Sequence, residues 1–404
     1  MEPPRVRRSH PTEGALKGVR ILALEQAAAG PFCSHLLADL GAEVIKVERP
    51  GGGDVIRGWD GIVRGLSSGY VWLNRAKRSV VVDMKTVAGQ EVLRRLAAHS
   101  DVLLENMGPG VLDRVGLGWE ALRRRNRRLI YCKVSGYGMT GPYSDVKSYD
   151  LLMQGEAGIM ATTGYPDAPA KVGVPIADMA GGMYAAVGIS TALYQRERTG
   201  FGQLIDVAIF DAMLEWLAYF PHYVWHGVGA PPRSGMRHHA IVPYGPFRAR
   251  DGRLVSIAVA SSDNWECFCR RVLERNDLAE DPRFADTPSR LRHRAEIEGV
   301  VERIFLTQDS ETWIHRLAAA KLPHGLVNDI DEVLRHEQVA ARHLVREVGS
   351  PVGPVPTIES PIRMSDSAVA EGPIPSLGGD TERVLQEAGY STKEIEALRR
   401  DGAI

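Results

Sequence analysis

Between Val19 and Val47 the hydrophobic period of the sequence changes twice. Val19 to Leu24 is an almost continuous apolar run with the length of a buried strand. Ala28-Ala29-Gly30-Pro31 then forms a turn, with Pro31 suited to the first position of a helix. Cys33, Leu36, Leu37 and Leu40 carry that helix to Gly41, and Val44 to Val47 begins a second strand. Two apolar strands joined through a helix make a βαβ unit, which requires a parallel sheet covered by helices.

The unit recurs. Strands are expected at Ser79–Asp83, Val102–Glu105 and Leu129–Val134, with helices at Gly89–His99 and Trp119–Arg124. Ligands of such sheets bind beyond the carboxyl ends of the strands. Ala180 to Arg196 reads as a helix rich in small residues, followed by another apolar run over Ile205–Ile209 and a helix over Phe210–Val224. The texture changes near residue 227. Gly227 to Pro246 reads as a loop, and Phe247–Ala249 with Leu254–Ala260 as a hairpin turning at Asp251-Gly252, followed by amphipathic helices to about 320. Residues 351–380 read as an extended connection. A final helical segment starts at the Ser391-x-x-Glu394 capping box. The division expected is a disordered head (1–16), a large α/β domain (17–225), a smaller α+β domain (226–330), and a return linker with a C-terminal part of the large domain (331–404).

Formal net charge is −1 over 404 residues, which gives no support to a nucleic-acid or membrane-surface partner. No apolar run of 18 residues predicts a membrane span. Cys33, Cys132, Cys267 and Cys269 form neither a disulfide framework nor a zinc-ligand spacing, so free thiols, no metal and a cytoplasmic location are expected. Nucleotide-fingerprint, Walker, zinc-protease and serine-hydrolase motifs are absent, and Gly51-Gly52-Gly53 does not open onto a helix. Isolated charged groups remain. Asp178 stands at the mouth of the small-residue helix, where an N-capping role competes with a chemical one. Arg49, Arg57, Lys77, Arg78, Arg114 and Lys147 fall beside turns, either as solvated cations or as a gathering suited to an anionic ligand.

Several segments resemble the class III coenzyme A transferases, a family related to α-methylacyl-CoA racemase. They are Gly41-Ala-Glu-Val-Ile-Lys-Val-Glu-Arg-Pro50, Asn74 to Ser79, Glu105 to Gly110, Ser135 to Gly138, Ala161 to Gly164, Asp178-Met-Ala-Gly-Gly182 and Pro243-Tyr-Gly245. The closing stretch from Leu377-Gly378 to Leu398-Arg399 fits as well. The resemblance implies a Rossmann-like large domain built from both ends of the chain, a smaller domain between them, and an interlocked, ring-like homodimer. It implies CoA thioesters and small carboxylic acids as substrates, with no permanently bound cofactor.

Position by position, it makes Asp178 the catalytic carboxylate. It places Arg49, Lys77, Asn106, Met107, Arg114 and Lys147 along CoA, Gln26, Ala27 and Ala28 in the turn lining the site, and Tyr149 and Asp150 beside it. Ala28 stands where formyl-CoA transferase has glutamine, and that enzyme's Gly-rich lid has no clear counterpart, so oxalate and formate are not the expected substrates. Arg57, Arg237, His238 and His239 suit a dicarboxylate such as a C4–C6 diacid, with the 233–239 loop alternatively an interface element. The racemases carry Gly-His-Asp where this chain has Ser148-Tyr149-Asp150. A phenol, ordinarily with a pKa of roughly 10, is a poor base at neutral pH. The racemase reading and a catalytically silent CoA-binding homologue stand as alternatives to the transferase. In the expected chemistry the helix start keeps Asp178 ionised, and Gly181-Gly182 or the 234–239 loop stabilises the oxyanion.

Overall fold

The computed structural model describes residues 13–404, so the expected head lies outside the described residues as far as residue 12. Contacts divide the chain into two units. One comprises the chain up to Ile159, Val172–Ala218 and Ala340–Ile404; the other comprises Met160–Lys171 and Tyr219–Val339.

The first unit is built on β1 (Arg20–Leu24), α1 (Ala29–Asp39), β2 (Glu43–Glu48), β3 (Lys77–Val81), α2 (Val87–Ala98), β4 (Val102–Glu105) and β5 (Ile130–Ser135). It continues with α3 (Asp150–Glu156), α4 (Ile176–Thr199) and β6 (Leu204–Ala208). The six strands pair in parallel in the order β3-β2-β1-β4-β5-β6. The order reverses between β1 and β4, and a doubly wound sheet opens a crevice beyond the carboxyl ends at such a point. Alternate residues feed two cores. Ile21, Ala23, Val44 and Leu104 face α1 and α4, while Leu22, Ile45, Val47 and Leu103 face α2 and the C-terminal helices.

Pro31 falls at the third helical position of α1 rather than the first, where its missing N–H would find no intrahelical partner in any case. The helix expected from Ala180 begins one turn earlier and runs 24 residues. By length and composition α4 could cross a membrane, which the sequence reading did not foresee; here Ala177, Ala180, Gly181, Ala185, Ile189 and Leu193 form part of a protein core. Its closest approach to α1 is at Gly182, where a Cβ would lie 2.7 Å from the Ala29 carbonyl oxygen and 3.1 Å from Cys33 N.

The edge strand β3 is covered by the end of the chain. The backbone N–H groups of Ser79 and Val81 donate to the Asp380 carboxylate and the Thr381 hydroxyl, 3.0 Å each. Asp83 N donates to the Ala403 carbonyl. The connection at 351–380 is not wholly extended: β10 (Val345–Val348) and β11 (Val355–Ile358), numbered after the three strands of the second unit, pair within the segment leading to it. The closing segment is two helices, α5 (Thr381–Glu387) and α6 (Thr392–Arg400), broken at Gly389, and the Ser391–Glu394 capping box caps α6.

In the second unit, β7 (Tyr244–Arg248), β8 (Leu254–Ala258) and β9 (His324–Leu326) form an antiparallel sheet ordered β9-β8-β7. Phe247, Val255, Ile257, Trp265, Phe268, Phe305 and Trp313 form its separate core. A two-residue ladder, Gly164–Tyr165 with Ala168–Pro169, also belongs to this unit, although the surrounding sequence reads as α/β domain. The helix expected over Phe210–Val224 is two helices, Ile209–Glu215 and Phe220–Trp225.

Gly182→Ala places its methyl against immobile backbone rather than a flexible side chain. It is expected to cost about 1–3 kcal/mol of stability, read as a lower urea midpoint at unchanged m-value.

Candidate functional site

The turn between β1 and α1 is held from two sides. Gln26 N donates to Asn106 Oδ1 and Asn106 Nδ2 donates to the Gln26 carbonyl, both at 2.9 Å. Ala27, in the left-handed region at φ 59°, donates its N–H to Asp54 Oδ1 at 2.9 Å. Asn106 follows β4, so this pair of side-chain bonds spans the switch point between β1 and β4. Met107, half-buried next to it, is fixed by donating its N–H to Glu105.

Beneath the turn lies a buried ionic cluster. Lys46 Nζ contacts Asp54 at 2.7 Å and Glu25 at 3.3 Å, and Lys77 Nζ contacts Glu25 at 2.9 Å. All four side chains are buried. Two carboxylates and two ammoniums balance, as burial of charge demands. Burial raises the Glu25 carboxyl, but Lys77 and Lys46 outweigh it and leave its pKa lowered. Burial draws Lys77 down to about 8 against the pull of Glu25.

Lys77 was expected along CoA. The structure instead places it at the amino end of β3 and directs its ammonium to Glu25, the Pro31 carbonyl and Asn74. Arg57, expected at the substrate, is likewise engaged by protein groups. Its guanidinium grips Glu48 at 2.7 and 2.8 Å, contacts the Tyr70 hydroxyl and stacks 3.7 Å from that ring. The donors of both cations are engaged inside the protein.

Arg49 and Arg114 are exposed, each with one carbonyl contact, to Gly53 and Pro109 respectively. Lys147 is exposed in the loop before α3. These three follow the carboxyl ends of β2, β4 and β5, and Gln26 and Asn106 follow those of β1 and β4. The set therefore borders the end of the sheet at which the crevice opens.

Asp178 is the third residue of α4, not its N-cap. Asp150 performs the capping from α3: its Oδ1 accepts from Ala177 N at 2.8 Å and from Asp178 N at 3.4 Å. Gln154, fully buried, donates to the other Asp150 oxygen and accepts from Val172 N, each at 2.8 Å. Asp150 is thus occupied by protein groups, whereas Tyr149 beside it is 72% exposed.

With the helix-start N–H groups satisfied by Asp150, the Asp178 carboxylate accepts no hydrogen bond and forms no ion pair among the described residues. Burial and then repulsion from Asp150 push its pKa up to about 7. The helix start therefore offers the Asp178 carboxylate no hydrogen bond to offset that rise. Asp178 shares a face of α4 with Gly182, one turn on, and Gly182 lies against Ala29 at the start of α1. Met179 packs on the cluster holding Ala28 and Phe32. Gly181 and Gly182 are inside α4, where N–H groups are spent on the helix ladder, so they do not supply the expected oxyanion donors.

Arg237, His238 and His239 belong to the second unit. Arg237 is engaged by Glu298 at 2.6 Å and by Glu302. His238 Nδ1 accepts from Ala240 N and Ile241 N, and His239 stacks on it at 4.7 Å. Burial lowers the pKa of both rings; Arg294 lowers His238 further, and His238 and then Arg294 lower His239. Among the described residues no group of three or more His, Cys, Asp or Glu is arranged to hold a metal.

The sequence reading missed Lys46, Glu25, Asp54 and Gln154. The first three had a signal: Lys46 and Glu48 alternate with apolar residues in a short buried strand, which obliges the fold to supply counter-charges. Gln154 had a weaker one, its i,i+4 spacing from Asp150.

The profile of CoA-transferase family III matches residues 16–381, and the chain belongs to that family of enzymes. It is 37% identical to a succinate–glutarate CoA-transferase of Agrobacterium fabrum, over 92% of this chain and 95% of the relative. A formyl-CoA:oxalate CoA-transferase of Rhodopseudomonas palustris is 34% identical over 96% and 97%. Among solved structures, a CaiB/BaiF family protein from Brucella suis superposes with a TM-score of 0.83 at 36% identity, covering 93% of this chain and all of the other.

With its pKa raised to about 7, any rate that requires the carboxylate form of Asp178 is expected to rise with pH through an acidic limb near 7. Asp150→Asn keeps an oxygen acceptor for Ala177 N but removes the repelling charge. It is expected to move that limb to lower pH, and a pH–rate profile of both proteins checks this.

Proposed function

We propose that this enzyme moves CoA from an acyl-CoA donor, such as succinyl-CoA, to a dicarboxylic acid, with Asp178 carrying the acyl group. The observation that carries the mechanism is the Asp178 carboxylate itself, half-buried at the start of α4 and free of hydrogen-bond donors among the described residues. A carboxylate relieved of hydration and of protein partners is a stronger nucleophile than one in water. The choice of a diacid follows the succinate–glutarate relative.

An Asp178 oxygen attacks the thioester carbonyl, the carbon–sulfur bond breaks, and CoA leaves as its thiolate, leaving a mixed anhydride. The thiolate then attacks the aspartyl carbonyl, releasing the donor acid and forming an aspartyl-CoA thioester. The acceptor carboxylate attacks that thioester, and the returning thiolate takes the acceptor's acyl group and frees Asp178. No net proton is required. Exposed Arg49, Arg114 and Lys147 at the carboxyl end of the sheet are suited to the phosphates of CoA. Tyr149 does not favour the racemase alternative, which needs a base in that position.

We also assign the chain to an interlocked homodimer. α4 leaves Met183, Tyr184, Val187 and Tyr194 exposed, 40–67% each, along one side of a helix whose other side is core. In the second unit, helix Phe220–Trp225 buries none of its residues, and Trp225 is 72% exposed. Exposed apolar surface of this kind on each unit suits a second copy.

Mass spectrometry of CoA esters, after mixing the enzyme with succinyl-CoA and a panel of mono- and dicarboxylic acids, tests the reaction. New diacid CoA esters are expected with the wild type. With Asp178→Ala they fall by roughly three orders of magnitude or more while CoA binding persists. Normal turnover by Asp178→Ala removes the covalent mechanism, and deuterium entering the α-carbon of a branched acyl-CoA without exchange installs the racemase. Val187→Glu is expected to lower the mass measured by light scattering from dimer towards monomer.

A further inference from the structure

At the opposite end of the sheet, before β5 and β6, a groove of about 450 Å³ is lined by Trp119, Arg123, Arg124, Arg127, Phe201 and Gly202. Its frame is rigid. Gly202 N donates to the Arg127 carbonyl at 2.9 Å, and a Cβ on Gly202 would lie 2.0 Å from the Leu129 carbonyl oxygen. The two chain segments can therefore lie flat on each other only with glycine there. Buried Arg196 clamps the same place, reaching the Arg128 carbonyl at 3.2 Å and Asp101 at 2.9 Å. Trp119 is held edge-on against Tyr131 at 6.3 Å.

The groove presents charge, and one exposed ring at Phe201, that the fold does not use, while Trp119 packs on the core beneath the Arg123 guanidinium. Among the described residues, the side chains of Arg124, Arg125 and Arg127 make no hydrogen bond or ion pair. Phe201 is 59% exposed beside them. Arg123 and Arg128 are the exceptions, paired with Glu120 at 3.4 Å and with Glu197 at 3.0 Å. The overall charge of −1 gives no long basic track for a polymer. The volume of the groove is that of a small-molecule site.

Guanidinium groups bind phosphate by paired N–H donors, and exposed rings offer faces to a flat heterocycle. We propose that this groove is a second ligand site, taking a nucleoside polyphosphate with its phosphates on Arg124 and Arg127 and its base against Phe201. Two sources carry that chemistry, a free nucleotide or the adenosine phosphate end of a CoA ester. The site is independent of the proposed reaction, since none of its residues is assigned to the transfer.

A fluorescent ADP analogue titrated into the full-length protein, read by anisotropy, tests the proposal. Saturable binding is expected, weakened at least about tenfold by the Arg124→Ala/Arg127→Ala double variant and several-fold by Phe201→Ala. Affinity should fall steeply with added salt, and CoA-transfer turnover should stay at the wild-type rate in both variants, which also reports that they are folded. Displacement of the analogue by CoA identifies the CoA end as the ligand, and resistance to CoA identifies a free nucleotide; either result sustains the site. Absence of saturable binding, or binding that none of the three substitutions alters, overturns it.

Discussion

Glu25 holds together the part of the molecule on which the rest is arranged. It follows β1, and its carboxylate takes the ammonium of Lys46 from β2, that of Lys77 from β3, and the hydroxyl of Ser34 from α1. Three adjacent strands and the first helix are thereby tied at a single buried anion. Asp54 completes the charge balance through Lys46 and fixes the strained Ala27 N–H. Removing one partner from such a cluster leaves an uncompensated buried charge, which is far more costly than never having built the cluster. The turn that borders the crevice is consequently as firmly held as the core beneath it, although it is a loop.

Asp178 shows the opposite treatment. The fold supplies the start of α4 with a capping carboxylate from elsewhere, Asp150, and steadies that carboxylate with Gln154. The helix is stabilised without using the residue that its own sequence offers for the purpose. What is gained is a carboxylate with unspent lone pairs, and its cost is the unfavourable burial of charge that moves its titration close to neutrality.

The parallel sheet was legible from the sequence because β1 and β4 are nearly pure apolar runs and the other strands are short, apolar-rich segments bounded by turn residues, a signal that is local. The Ser391 capping box was legible for the same reason, since its two partners are three residues apart. The roles of Lys77 and Arg57 were not. A lysine beginning a strand and an arginine near a Gly-rich turn look like solvated cations. Only the register of β2 against β3, and the return of residues 375–381 to the sheet, convert them into a buried partner of Glu25 and a half-buried partner of Glu48. Asp178 was located by resemblance and its burial could be anticipated, but its titration depends on Asp150, 28 positions away in sequence. Charge partners fixed by tertiary contact carry no periodic signature.

The covering of β3 by residues 376–403 has a consequence for how the protein is made. During synthesis the first five strands of the sheet leave the ribosome long before Asp380 and Thr381 exist to satisfy the outer edge of β3. For most of that interval the nascent chain carries an open strand edge, a template for pairing with other chains. The last tenth of the polypeptide therefore acts as a built-in chaperone for the first quarter. A premature stop there would remove no residue assigned to chemistry, yet it would release a product prone to self-association.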